Sequence, residues 1–325
     1  MIKKYDVVGM GNAIVDCLSY VDEAFLQQNQ MPKGSMQLIS AEYAAQLLTQ
    51  LSDVKKCSGG SVANTIAALA ELQLKTAFLG RVADDELGVS FTHDIREAGV
   101  YFAPKPALGG KPTACCIICV SPDGERTMNT FIGASSEVTV YDIEAEIIEQ
   151  SKLLYLEGYL WDAEPAKEAI LQAIHVAHDH GVKIAFSASD AFCVNRHRPE
   201  FLHLIKQHID ILFMNEDEAK ALLERDDLEN VALELSDYVE IAVITRSGNP
   251  ALISHGGKLH EVAPQPLAHI EDATGAGDAF AAGFLYGYLN DYGLVKSAKL
   301  GHKLGSNIIQ QLGARSVKPL LQIVA

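Results

Sequence analysis

From Leu153 onward the chain alternates short apolar runs with amphipathic stretches, and this rhythm is the strongest constraint on its fold. Strands are predicted at Leu153–Leu156, Val182–Phe186, Ile209–Met214 and Ile241–Thr245. Helices are predicted between them at Glu164–His180, Arg198–His208, Glu216–Glu224 and around Leu228–Tyr238. Strands separated by helices predict a mostly parallel sheet covered on both faces, because a parallel connection needs a crossover long enough to hold a helix. The amino-terminal part adds strands at Tyr5–Gly11 and Lys75–Gly80, and helices at Asp22–Gln28, Ala41–Leu51 and Glu86–Ala98. One excursion breaks the rhythm. Thr113–Val120 and Arg126–Ile132 read as alternating strands, joined by the turn residues Ser121-Pro122-Asp123-Gly124-Glu125 of a hairpin. Short β segments near Ala251–Ser254 and Lys258–Val262 precede a closing helix at Leu294–Gln311. No internal repeat, charge block or low-complexity linker divides the chain, so a single domain over residues 1–325 is expected.

Charge narrows the partners. Lysine and arginine number 26 against 42 acids, a formal net charge of −16, which repels nucleic-acid phosphates and anionic membrane surfaces. No apolar run approaches the roughly 20 residues of a membrane span, and Met1-Ile2-Lys3-Lys4-Tyr5-Asp6 lacks the apolar core of a signal peptide. A cytoplasmic protein is expected, with its six cysteines reduced, since their spacing follows no disulfide framework. Composition leaves monomer and homodimer open.

Two glycine-rich turns stand out as places for chemistry. Thr274-Gly275-Ala276-Gly277-Asp278 leads into the apolar run Ala279–Leu285. A turn that opens a helix leaves its first N–H groups unpaired and adds roughly half a positive charge from the helix dipole, so it can seat an anion. Asp278 then falls in the helix's first turn, beside that seat. A carboxylate next to an anion seat suits proton abstraction from a hydroxyl that attacks phosphorus. The second turn, Cys57-Ser58-Gly59-Gly60-Ser61, opens an alanine-rich helix with Asn64 one turn inside. Close packing on the sheet and ligand approach both explain it. Asn12 and Asp16 follow the first strand, where α/β sheets bind ligands, and they read equally well as turn residues. Asn215 and Glu218 read either as a helix cap or as oxygen ligands for a hydrated magnesium; Arg246, at another strand end, is placed to meet a phosphate.

Other constellations carry less. Strand alternation puts Cys115 and Cys119 on one face and Cys116 on the other, which fits packing better than metal binding. His175, His178 and His180 fit a solvated helix end. Neither a Walker A pattern nor a protein-kinase catalytic loop occurs, so any phosphoryl transfer uses other machinery.

Taken together, Gly59-Gly60 with Asn64, Asn215 with Glu218, and Asp272-Ala273-Thr274-Gly275-Ala276-Gly277-Asp278 resemble the signatures of the ribokinase-like, phosphofructokinase-B type family of carbohydrate and nucleoside kinases. The resemblance covers essentially the whole chain. It implies a three-layer α/β/α sandwich with a small β lid, contributed by parts of 12–40 and 100–135. It also implies ATP and magnesium as cofactors, with potassium left open at Asp272 and Thr274. Asp278 would be the base, and Gly275, Ala276 and Gly277 the anion hole. Acceptor contacts would fall on Asn12, Asp16, Gly59, Gly60, Ser61, Asn64 and Arg126. ATP contacts would fall on Asn215, Thr245, Gly248, His302 and Asn307, with magnesium held through water at Glu218.

Within that family Val8–Asp16, Val21–Leu26, Asp210–Glu216 and Gly301-His302 look like the adenosine kinase branch, although Ala13 stands where that branch usually has proline and Ala273 replaces a usual threonine. A purine nucleoside phosphorylated at a primary hydroxyl is therefore the first expectation, adenosine ahead of other nucleosides and plain sugars. A non-catalytic ligand-binding regulator is the alternative of another class. Arg126, beside the lid turn, is expected to offset phosphoryl charge, and Tyr159 and Trp161 either stack on a base or simply pack.

Overall fold

The computed structural model describes residues 3–267 and 269–324. Its strands in chain order are β1 (Tyr5–Met10), β2 (Ile14–Tyr20), β3 (Met36–Leu38), β4 (Lys55–Gly59), β5 (Thr76–Leu79), β6 (Ala114–Val120), β7 (Arg126–Phe131), β8 (Ser151–Glu157), β9 (Lys183–Ser187), β10 (Ile211–Asn215), β11 (Ile241–Arg246), β12 (Asn249–His255) and β13 (Lys258–Val262). An eight-stranded sheet runs β13-β12-β11-β10-β9-β8-β1-β5. It is parallel from β5 to β11, and the antiparallel pairs β11–β12 and β12–β13 extend it. Successive strand residues point to opposite faces, and both faces are apolar. Val7, Leu153, Tyr155, Phe213 and Val243 pack under the helices Ser61–Glu71, Ala276–Leu289 and Leu294–Ile308. Val8, Leu154, Phe186, Leu212 and Ile244 pack under Glu164–Asp179, Ala191–His208, Glu216–Leu223 and Leu228–Leu235. The result is the ribokinase-like α/β sandwich.

A second sheet, β3-β7-β6-β2-β4, stands over the carboxyl ends of the parallel strands as a lid. The hairpin β6–β7 forms as expected, with Gly124 N–H donating to the Ser121 carbonyl at 2.9 Å. One lid face, including Cys17, Cys115 and Cys119, packs on Leu26 and Leu47; the other gathers Cys116, Ile118 and Val120 with Ile14 and Met128. The cysteines thus divide between faces as alternation predicts; among the described residues there is no cluster of three or more histidine, cysteine, aspartate or glutamate side chains with metal-binding geometry.

Two boundaries differ from expectation. β4 supplies an edge of the lid from outside the segments 12–40 and 100–135, and Lys55-Lys56-Cys57-Ser58-Gly59 shows no apolar alternation because an edge strand turns polar groups to solvent. The helix expected from Arg198 begins at Ala191, where Asp190 caps it by accepting from Cys193 N–H at 2.6 Å; its backbone leaves helical geometry at His197, before Pro199.

Candidate active site

Between the lid and the sheet lies a cavity of about 970 Å³. Its floor carries Asn12, Asp16, Gly60, Ser61, Asn64 and Asp278; one wall carries Asn215, Glu218, Thr245 and the turn 273–277. Motifs separated by most of the chain meet at Asp278. Ser61 Oγ donates to its Oδ1 at 2.6 Å, Asn64 Nδ2 donates to its Oδ2 at 3.0 Å, and Thr65 Oγ1 donates to its carbonyl at 3.1 Å. Burial raises the Asp278 carboxyl to about 6, against the opposing pull of the Ser61 and Asn64 hydrogen bonds and the Arg315 charge. It is therefore mostly ionised at neutral pH, and basic enough to accept a proton from a hydroxyl held against it.

The turn before it is built to expose backbone N–H groups. Thr274 N–H donates to Asp272 Oδ1 at 3.0 Å, and Ala276 N–H to the Ala273 carbonyl at 3.2 Å. Gly275 takes the left-handed conformation, φ +75°, and a Cβ there would lie 2.6 Å from Ala314 Cβ, so only glycine fits. The expected anion hole of Gly275, Ala276 and Gly277 is corrected at Ala276, whose N–H is taken by the turn bond to the Ala273 carbonyl: among the described residues the N–H groups without a hydrogen-bond partner are those of Gly275, Gly277 and Asp278. Three free donors at one helix start have the chemistry to seat an anion. Gly60 is required for a similar reason: its φ is +97°, and a Cβ would run into the Asn12 carbonyl.

Arg126 does not line the cavity. It is buried, its Nη1 lying 2.7 Å from Asp272 Oδ2 and 3.2 Å from Thr274 Oγ1, so the lid grips the turn from outside the cavity wall. Among the described residues its Nε and Nη2 have no hydrogen-bond partner. The Asp272 carboxylate, which also accepts Gly313 N–H at 3.0 Å, is thereby occupied; a potassium ion would have to rely on neighbouring carbonyls.

Several other predicted residues also fall outside the cavity. Gly59 packs against the Asp16 carboxylate, Gly248 lies exposed in the β11–β12 turn, and Asn307 donates to Ser316 Oγ at 2.8 Å. His302 is buried, with Nε2 bonded to the Val262 carbonyl at 2.8 Å and its ring edge-on to Phe280. Arg246 binds the Pro250 carbonyl and pairs with Glu261 at 3.2 Å instead of reaching the cleft. Trp161 packs on Phe201 and donates to Glu200 at 2.6 Å, whereas Tyr159 does line the cavity.

On the cavity wall, Asn215 and Glu218 form a reciprocal cap: Glu218 N–H donates to Asn215 Oδ1 at 2.9 Å, and Asn215 N–H returns to Glu218 Oε2 at 3.0 Å. Cap and ligand are compatible roles. Burial, then the Asp190 and Asp217 charges, push the Glu218 carboxyl up to about 7, and among the described residues no cation pairs with it. A buried acid without a cation, lining the cavity, fits a hydrated divalent ion.

Sequence reasoning missed Glu157. It ends β8 fully buried, its Oε1 accepting Asn12 N–H at 2.8 Å and Asn12 Nδ2 at 2.7 Å, its Oε2 accepting Val62 N–H at 2.9 Å. Burial raises it to about 7. The available signal was a charged residue directly following the apolar run Leu153–Leu156, at the carboxyl end where such sheets bind ligands.

Known proteins are similar to this chain over nearly its whole length. The pfkB family carbohydrate kinase profile matches residues 33–320. The crystal structure of adenosine kinase from Sinorhizobium meliloti superposes with a TM-score of 0.90 at 43% identity, covering 98% of each chain. Adenosine kinase 1 of Arabidopsis thaliana is 25% identical over 94% of each chain, and 5-dehydro-2-deoxygluconokinase of Lacticaseibacillus casei is 27% identical over 99% of this chain and 94% of its own. These two relatives, a nucleoside kinase and a sugar-type kinase, are thus similar to it at comparable identity. Among the described residues no helix is long and apolar enough to cross a membrane. A profile spanning most of the chain, and relatives matched nearly end to end, establish that this chain belongs to the pfkB family of carbohydrate kinases, phosphotransferases with an alcohol group as acceptor.

Proposed function

We propose that this kinase phosphorylates the primary, 5′-type hydroxyl of a purine nucleoside, adenosine first, as a cytoplasmic purine-salvage step using ATP and magnesium. The observation that carries the reading is the contrast between the two sides of the acceptor cavity. Its floor is polar, from Asn12, Asp16, Asn64 and Asp278, and suits ribose hydroxyls. Its roof is apolar: Ile14, Ile118, Met128 and Ile132 line it, and Met36 and Leu38 remain 52% and 67% exposed above it. A free sugar is polar on every edge and leaves such a roof unused, whereas a purine presents two apolar faces. Tyr159 adds an aromatic wall at the mouth.

In this reading Asp278 orients the acceptor hydroxyl and takes its proton late, because a carboxylate cannot fully ionise an alcohol beforehand. The free amides of Gly275, Gly277 and Asp278 stabilise charge on the transferred phosphoryl oxygens. Magnesium, when bound, neutralises charge on the phosphates, and Glu218 would hold it through water. Arg126 fixes the turn that presents the amides through its contacts with Asp272 and Thr274. Asn215 and Thr245 border the ATP side.

The test is ADP release with adenosine, inosine, guanosine, ribose and fructose as acceptors. Adenosine should exceed every free sugar in kcat/KM by at least about tenfold, the worth of one buried apolar contact surface. A sugar preferred over all nucleosides would overturn the substrate assignment. Asp278→Asn should lose turnover by about 10²–10⁴-fold with nucleoside binding retained, and full turnover would exclude the assigned base.

A further inference from the structure

We propose that Arg315 is a positioning residue of the transfer reaction: from a strap near the carboxyl terminus it ties lid strand β4 to the catalytic turn and holds a positive charge behind the acids of the acceptor floor. The inference rests on Asp278 being the base. Three consecutive residues make the strap. Gly313 N–H donates to Asp272 Oδ2 at 3.0 Å, and Ala314 packs against Gly275 so closely that a Cβ on Gly275 would lie 2.6 Å from Ala314 Cβ. Arg315 then reaches the lid, its Nη2 donating to Ser58 Oγ at 2.8 Å and to the Ser58 carbonyl at 3.1 Å, its Nε to the same carbonyl at 3.3 Å. Ser58 is held from its other side, its N–H donating to Asp94 Oδ2 at 2.5 Å. The chain runs from Ser58 through Gly59-Gly60 directly into Ser61 and Asn64, the two side chains that grip Asp278. Fixing Ser58 therefore fixes the holders of the base.

The charge adds a second effect. Arg315 forms no ion pair within 4.0 Å among the described residues, yet it borders one small void with Asn64, Glu71 and Asp278. It faces Asp16 from β2, Cys57 from β4, Glu71 from the helix Ser61–Glu71, Asp94 from Glu86–Glu97 and Asp278 from Ala276–Leu289. Asp278 itself faces Asp16, and Tyr155 and Glu157 from β8. Burial raises Asp16 and Asp278, and the guanidinium opposes that rise at both. A structural anchor for Ser58 requires only hydrogen-bond donors; an unpaired cation among acids also keeps the base ionised.

The experiment compares Arg315→Gln and Arg315→Met, which remove the charge with and without a donor, against Arg315→Lys, which keeps it. The pH profile of kcat/KM is measured from pH 5 to 9 with the best acceptor of the panel, on proteins whose thermal unfolding shows they are folded. Both neutral variants should move the acidic limb upward by about 1 pH unit, so that kcat/KM below the limb falls about tenfold, and Arg315→Lys should leave the limb in place. An unmoved limb in either folded neutral variant overturns the proposal. Asp278→Asn separates the two readings. If it is inactive while the limb stays put in Arg315→Gln, only the role of Arg315 fails; if it keeps turnover, the base assignment fails first.

Discussion

Replacing Gly277 by alanine should separate stability from catalysis more cleanly than any other change in the turn. Gly277 lies in the first turn of the helix Ala276–Leu289, has ordinary helical backbone, and a Cβ built on it meets nothing within 4 Å. Folding therefore meets no clash, and the exchange of glycine for alanine in a helix contributes about 0.5–1 kcal/mol of stability. The open space that accepts the methyl is the space in front of the free amides of Gly275, Gly277 and Asp278, where the phosphoryl group is proposed to sit. Displacing an oxyanion from one such donor costs about 10²–10³-fold in kcat, or roughly 3–4 kcal/mol. Gly275→Ala is the contrast. There φ is +75° and Ala314 Cβ blocks the new methyl at 2.6 Å, so a left-handed penalty of about 1–2 kcal/mol and a shift of the strap lower stability and turnover together. Urea unfolding and single-turnover phosphorylation of both variants form the assay. Gly277→Ala with kcat within about threefold of the parent would refute the placement of the anion seat, and a destabilised Gly277→Ala would refute the open-space argument.

Glu157→Gln should change how stability depends on pH. Folding raises this carboxyl from an ordinary 4.5 to about 7, so the native state holds the proton more tightly; the stabilisation is complete below about pH 4.5 and is lost as pH rises through 7. That loss is about 3 kcal/mol at 1.36 kcal/mol per pH unit, and the amide escapes it while leaving the Val62 N–H without its acceptor at a cost of about 1–3 kcal/mol at every pH. The variant should be less stable than the parent at pH 5 and level or better at pH 8 in urea unfolding; a gap independent of pH would count against the buried charge. Ile118→Asn, on the cavity side of the lid, should raise KM for adenosine by about 5–30-fold, as expected for losing 1–2 kcal/mol of apolar contact, and leave KM for ATP unchanged. An equal rise in both would show the roof to be merely structural.

Much of the fold is legible because its signals are local. The run from Leu153 to Thr245 alternates by composition, each strand buried on both faces and each helix showing one apolar side, so element type follows from spacing alone. The lid is legible only where its strands are consecutive. β6 and β7 share a hairpin turn and were readable, whereas β2 pairs with β4 across an intervening pair of helices, and no local pattern in Lys55–Gly59 announces that partnership. Proline marks the break near His197 in sequence, but not that a capped turn starting at Ala191 precedes it.

The candidate site divides along the same line, and the division shows what kind of information a motif holds. Gly275, Gly277 and Asp278 express a local geometry, a left-handed turn opening a helix, and local geometry is written in residue type. Ser61 and Asn64 follow their own glycine turn; that their side chains close on Asp278, more than 200 residues away, is a property of where the sheet puts two helix starts. Residues carried over by position alone fared differently. Gly248 and His302 occupy the expected places in the chain, yet one is exposed in a turn and the other is bonded to Val262, because such carry-over transmits sequence register and not side-chain direction. Glu157 and Arg315 show the converse. Each is one charged residue in an unremarkable context, and each acquires meaning only from burial: a carboxylate whose three donors come from Asn12 and Val62, and a guanidinium whose acceptor is a lid serine more than 250 residues earlier. Burying a charge is costly unless it organises its surroundings. Around this cavity the long-range groups that sequence patterns do not register are the ones whose hydrogen bonds tie the locally encoded turns to the rest of the fold.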